Sequence, residues 1–119
     1  MQTITDLLNT AKTNNQFEID ESWGQGRSVF GGISAALVLE KLEDEFHLNE
    51  KDLRSVNVSF CGAVTVNEPC TIQCQMLSEG KSVMHIQGQL IQDGHVKTHV
   101  MACYALSRNS SVTVDAEQI

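Results

Sequence analysis

Basic residues are scarce: eight Lys and Arg stand against 15 Asp and Glu, a formal net charge of −7. Such a chain lacks the basic patch that neutralises phosphates, so no nucleic-acid partner is expected. No apolar run approaches the roughly 20 residues that cross a bilayer, so no membrane partner is expected either. Residues 1–16 have no basic start followed by an apolar core, which argues against a secretory signal and for a cytoplasmic setting. The four cysteines, Cys61, Cys70, Cys74 and Cys103, form no CxxC pair and no Cys/His cluster with zinc spacing, so no metal site is expected. Cys70 and Cys74 lie in a strand-like run, ~13 Å apart along it and beyond disulfide reach. The cysteines therefore read as buried free thiols. With 119 residues the chain has little length. It fits one domain, and a two-lobed nucleotide fold or a barrel of eight α/β units is excluded. A cavity enclosing a large ligand would consume much of so small a core, which points to a site shared between two copies.

The charge that is present is uneven. Residues 40–52 carry six acids (Glu40, Glu43, Asp44, Glu45, Glu50, Asp52) and two bases (Lys41, Lys51), a net of −4. Residues 53–101 balance Arg54, Lys81 and Lys97 against Glu68, Glu79 and Asp93, and this neutral half can admit an anionic ligand.

Periodicity gives the element order. Ile4, Leu7, Leu8 and Ala11 recur at helical spacing over residues 3–13, with Thr3 or Thr5 as cap. Residues 17–23 alternate and predict a first strand, broken by Gly24-Gln25-Gly26. Residues 33–46 lack Gly and Pro and predict a long helix. Its first turns are apolar nearly all round, which predicts burial on every face, and Ala35, Val38, Leu39, Leu42 and Phe46 form one stripe. The period then changes to two through residues 53–60, 70–76, 82–92 and 95–106. Asn67-Glu68-Pro69, Glu79-Gly80-Lys81 and the tight Asp93-Gly94 hairpin separate these strands. The tail, 107–119, is polar and expected to fray. This order predicts an α+β domain, a mostly antiparallel sheet wrapped around one very apolar helix.

Several segments resemble one family. Trp23-Gly24-Gln25-Gly26-Arg27-Ser28-Val29-Phe30-Gly31-Gly32, running into an apolar helix, resembles the "W…G…FGG" approach of hotdog-fold acyl-CoA thioesterases. Residues 53–64 (LRSVNVSFCGAV) resemble the family's next strand, Glu79-Gly80-Lys81-Ser82-Val83 its "xGKS" turn, and Gln92-Asp93-Gly94 its next hairpin. The likeness covers roughly residues 16–106. It is closest to the N-terminal hotdog of thioesterase II-type enzymes, whose chains join two hotdogs. Phe30 stands where single-hotdog thioesterases carry the His of "HGG". No position matches the Asp/Thr/Gln set that the two-hotdog enzymes carry in their second hotdog. The strings typical of hydratase and dehydratase hotdogs are absent.

The resemblance implies one hotdog domain over residues 1–119 that works as a homodimer or dimer of dimers, its sheets joined edge to edge. It implies hydrolysis of an acyl-CoA thioester at the dimer interface, with no cofactor, since coenzyme A is part of the substrate. Thioester hydrolysis needs an activated water or a carboxylate nucleophile, and donors for the developing oxyanion. Gly31 and Gly32, just before the helix, are the candidate donors, because glycine permits close backbone approach and helix-start N–H groups are unpaired and partly positive. Glu40, eight residues past Gly32, is the candidate base, reaching a partner subunit. Asn57 is a candidate to orient water. Phe30 and the turn Gly80-Lys81-Ser82 are candidates to bind substrate, with Lys81 and turn N–H groups suited to coenzyme A phosphates. The alternative is a non-catalytic acyl-CoA-binding or structural hotdog, the separated N-terminal half of a two-hotdog thioesterase.

Overall fold

Residues 3–48 and 51–105 are described by a computed structural model, and the tail 107–119 lies outside the described residues. Helix α1 (Ile4–Thr13) opens with a capping box: Thr3 Oγ1 accepts from the Asp6 amide at 3.0 Å, and the Asp6 carboxylate accepts from the Thr3 amide at 3.3 Å. Leu7 and Ala11 on its inner side are buried.

The strand expected over residues 17–23 does not form. Phe17 makes an isolated antiparallel bridge with Cys70, exchanging two backbone hydrogen bonds. Asp20 then accepts from the Ser22 amide at 3.1 Å and caps a single 3-10 turn, Glu21–Trp23. A short side chain bonded to backbone two residues on offers an alternative to extension, and here that local bond wins. The tiny strands β1 (Gly24–Gln25) and β2 (Ser28–Val29) follow as a hairpin.

Helix α2 (Gly31–Glu45) starts two residues earlier than the Ile33 that the sequence suggests, and takes both glycines into its first turn. It is not buried all round. Its buried line is Ser34, Leu37, Val38 and Leu42, whereas Ala36 is exposed and Ile33, Ala35 and Leu39 are half-buried. A single sheet covers only one side of a helix, and small or aliphatic residues on the other side tolerate partial cover by α1.

Strands β3 (Asp52–Phe60), β4 (Thr71–Glu79), β5 (Val83–Gln92) and β6 (His95–Ala105) form one antiparallel sheet in the order β3-β6-β5-β4. Asp93 and Gly94 both take positive φ, 53° and 77°, as a primed two-residue hairpin requires. Registers align Phe60, Thr98, Leu90 and Ile72 in one row, and Val58, Val100, Gly88 and Cys74 in the next. These rows face α2, and the core of Leu37, Leu42, Ile86, Leu90, Val100 and Tyr104 lies between sheet and helix. Helix α2 packs on β4, β5 and β6. Edge strand β3 gets little of that cover: Leu53, Val56 and Phe60 stay 41%, 44% and 60% exposed.

The expectation of buried thiols holds fully only for Cys70. Cys74 and Cys103 are half-buried, and Cys61, just past the end of β3, is exposed.

Candidate functional site

The N-terminal turn of α2, the end of β3 with the loop after it, and the start of β6 enclose a pocket of about 310 Å³. Val29, Phe60, Ala63 and Val64 form its apolar walls, and Gly31, Ser34 and Thr98 bring polar atoms to it. Phe30 is the N-cap of α2 and has no side-chain oxygen to cap it. The amides of Gly31 and Gly32 find no acceptor among the described residues. Unpaired helix-start amides carry partial positive charge, so an oxygen with developing negative charge is stabilised there.

The two glycines differ. A Cβ on Gly31 would come within 3.0 Å of Phe60 Cε1, so Gly31 is what lets the ring lie on the helix start. A Cβ on Gly32 would meet nothing within 4 Å, and Gly32 does not need positive φ. Packing accounts for the first glycine and not for the second.

Two residues not anticipated from the sequence complete the pocket. Ser34 and Thr98 are 1% and 0% exposed. Ser34 Oγ donates to the Gly31 carbonyl at 3.0 Å, and Thr98 Oγ1 lies 2.9 Å from Ser34 Oγ. The available signal was parity: Ser34 interrupts an apolar helix run, and Thr98 falls on the buried side of β6.

The other candidates lie apart within one chain. Glu40 is eight residues past Gly32, about 12 Å along the helix axis. Its carboxylate pairs with Lys12 of α1 at 3.2 Å. Asn57 sits opposite Met101 on the sheet face away from α2, exposed. Phe30 is adjacent to the pocket's Gly31 and 48% exposed. The Gly80–Ser82 turn is exposed and closed by a 2.8 Å bond from the Gly80 amide to the Val83 carbonyl. Val83 pairs with Ala105, seven residues along β6 from Thr98. That separates the turn from the pocket row by ~23 Å along the strand.

Charge is also concentrated at the far end of α2. The Tyr104 hydroxyl donates to Glu43 at 2.7 Å. Burial, then the Glu43 carboxylate, pushes its phenol well above the ordinary range. Burial likewise pushes Cys70 up to about 12 and Cys74 up to about 11, which keeps both as thiols at neutral pH. Among the described residues no three His, Cys, Asp or Glu side chains gather as a metal-ligating group, and no helix is long and apolar enough to cross a membrane.

A long helix laid on a four-stranded antiparallel sheet matches the fold of the hotdog thioesterases. Solved structures share it. Thioesterase superfamily member 2 from Mus musculus matches with a TM-score of 0.70 at 16% identity, over 77% of this chain and 78% of that one. A thioesterase from Thermus thermophilus, complexed with coenzyme A and Zn, matches with a TM-score of 0.68 at 7% identity, over 79% of each chain. A thioesterase II candidate from Thermobifida fusca YX matches with a TM-score of 0.68 at 18% identity, over 87% of this chain but 40% of that one. No curated protein sequence is a significant match. The family model for the acyl-CoA thioesterase N-terminal domain matches residues 19–105, and the chain belongs to that family.

Proposed function

We propose that this chain, as one hotdog domain, binds an acyl-CoA and hydrolyses its thioester in a site shared by two copies. The observation that carries the reading is the pocket itself: apolar walls for an acyl chain end at Gly31, whose amide, like that of the adjacent Gly32, is unpaired among the described residues. A thioester carbonyl oxygen placed against those amides would be polarised toward attack and held as an oxyanion afterwards.

A second copy supplies what one chain leaves far away. Among the described residues nothing pairs with the outer edge of strand β3, and its inner residues Val56 and Phe60 are exposed. Antiparallel pairing of β3 with its symmetry mate would satisfy the edge and cover those side chains. In that arrangement the partner's Asp52 end lies beside this chain's Phe60 end. The partner's β4–β5 turn then falls on the pocket's side of the sheet, three to four strand spacings away, ~15–20 Å. Lys81 and Ser82 of that turn would meet the phosphates of a coenzyme A whose acyl end lies at Gly32. The partner's α2, running in the opposite sense, would bring its Glu40 half toward the same end. Glu40 acts there as general base, taking a proton from the attacking water. The thiolate of coenzyme A leaves and is reprotonated from solvent. Asn57, on the outer sheet face, is outside this arrangement.

The test is an acyl-CoA panel assayed with a thiol reagent, using wild type and Glu40→Gln. Thiol release by wild type and a drop of at least tenfold in kcat for the variant are expected, within the usual scale for a general base. The second reading, a binding hotdog without hydrolysis, draws on the Lys12 ion pair that already occupies Glu40 and on the 40% coverage of the thioesterase II candidate. Acyl-CoA binding by calorimetry without thiol release for any acyl length would favour it.

A further inference from the structure

Among the described residues Ser34 and Thr98 are the one pair of fully buried side-chain hydroxyls at the pocket, and their bonding has a direction. A hydroxyl has a single proton. Ser34 spends its proton on the Gly31 carbonyl, so the 2.9 Å contact is completed by the Thr98 proton pointing at Ser34 Oγ. The chain of donation runs from Thr98 to Ser34 to the Gly31 carbonyl.

That carbonyl belongs to the same planar peptide unit as the Gly32 amide. Fixing the oxygen fixes the direction of the N–H on the opposite side. Donation into the oxygen also draws electron density from the nitrogen, so the N–H becomes a stronger donor, and each bond in such a chain reinforces the next. Gly32 itself is exposed and a Cβ there would meet nothing within 4 Å, so no side chain packs on it from the amide side. A further tie comes from the carbonyl side, where Ser34 reaches the oxygen from within the helix while Thr98 anchors Ser34 to β6.

We propose that Thr98 and Ser34 form a positioning relay that aims and polarises the Gly32 amide toward the substrate's carbonyl oxygen. It deepens, and rests on, the reading of that amide as an oxyanion donor. Neither hydroxyl touches the reacting atoms. Their effect is transmitted through one peptide plane, so it belongs to the transition state and leaves ground-state binding of acyl-CoA nearly untouched.

The experiment compares Ser34→Ala, Thr98→Val and Thr98→Ser with wild type, each checked for folding by its thermal midpoint. Thr98→Val keeps the shape and removes the donor, while Thr98→Ser keeps the donor. In a ¹⁵N–¹H spectrum the Gly32 amide proton should move upfield in Ser34→Ala and Thr98→Val, and stay near its wild-type position in Thr98→Ser. In turnover, kcat should fall on the order of tenfold with KM within about twofold, less than the 10²–10³ lost when an oxyanion donor is removed outright. Thr98→Ser should recover most of that loss. An unmoved Gly32 resonance in Thr98→Val overturns the relay whatever the enzyme does, and so does wild-type kcat in that variant. Absence of thiol release from wild type would overturn the hydrolytic reading instead, and the Gly32 shift would still decide the relay. If Ser34→Ala does not fold, the two Thr98 variants carry both readouts.

Discussion

At the scale of single residues, Gly32 separates two roles that a glycine pair usually confounds. Its backbone is helical and a methyl group there would enter open space, so Gly32→Ala should stabilise the fold by about 0.4–1 kcal/mol through lost unfolded-state entropy. The same methyl would crowd the approach to the amide, and kcat/KM should drop on the order of tenfold. A raised urea midpoint together with weaker hydrolysis is the expected pair of results; a raised midpoint with full activity would remove Gly32 from the site. Cys70 gives a second residue-level expectation, in pH. Burial raises its thiol from an ordinary 9.0 to about 12, so the folded state holds this proton more tightly than the unfolded chain. The folded state therefore loses ground as pH rises from 9 toward 12, with Cys70 contributing fully below that window. Tyr104 is shifted in the same direction. Urea midpoints measured at pH 8 and at successive steps above 9 should fall steadily, and a flat profile would contradict burial of the thiol.

At the scale of elements, α2 and β5 meet more closely than side chains normally allow. A Cβ on Gly88 would lie 2.7 Å from Val38 Cγ1 and 3.2 Å from Leu42 Cγ, so the helix rests on bare strand backbone. Gly88→Ala should therefore lift the helix from the sheet and cost about 1–3 kcal/mol, the range for overpacking a core. Chemical denaturation would read this directly, and a loss under about 0.5 kcal/mol would mean the helix can shift without strain. This contact also marks where sequence patterns are informative and where they stop. Helix α1, the four long strands and the Asp93-Gly94 turn follow from caps, period and turn chemistry, all of which are local. The lost strand at residues 17–23 turned on one Asp20 side-chain bond, which alternation does not register. Burial around α2 depended on how many layers cover it, and that is a tertiary quantity. The candidate site was half legible. Gly31 and Gly32 stand out as a doublet before a helix, and the family resemblance led to them. Ser34 and Thr98 are 64 residues apart and are joined only by the packing of α2 on β6.

At the scale of the whole molecule, the question is whether one chain holds a site or half of one. Within one chain Gly32 and Glu40 lie about 12 Å apart along a single helix, too far for both to act on the same carbonyl. In the proposed dimer, pairing through the edge of β3 would instead bring the Gly32 of one copy toward the Glu40 of the other, and would do so twice by symmetry. This arrangement predicts complementation between two defective chains. Gly32→Ala and Glu40→Gln each damage both sites of their own homodimer. In the mixed dimer both lesions fall into one site, and the other site receives an intact Gly32 from one chain and an intact Glu40 from its partner. Random reassortment makes half of the dimers mixed, and each has one intact site of two, so roughly a quarter of wild-type turnover should return. Co-refolding the two variants at equal concentration, then assaying thiol release, measures it. Recovery to near that level identifies a site built across the interface. Activity no higher than the mean of the two variants would place both groups in the same chain's site, and would remove the partner's Glu40 from the mechanism.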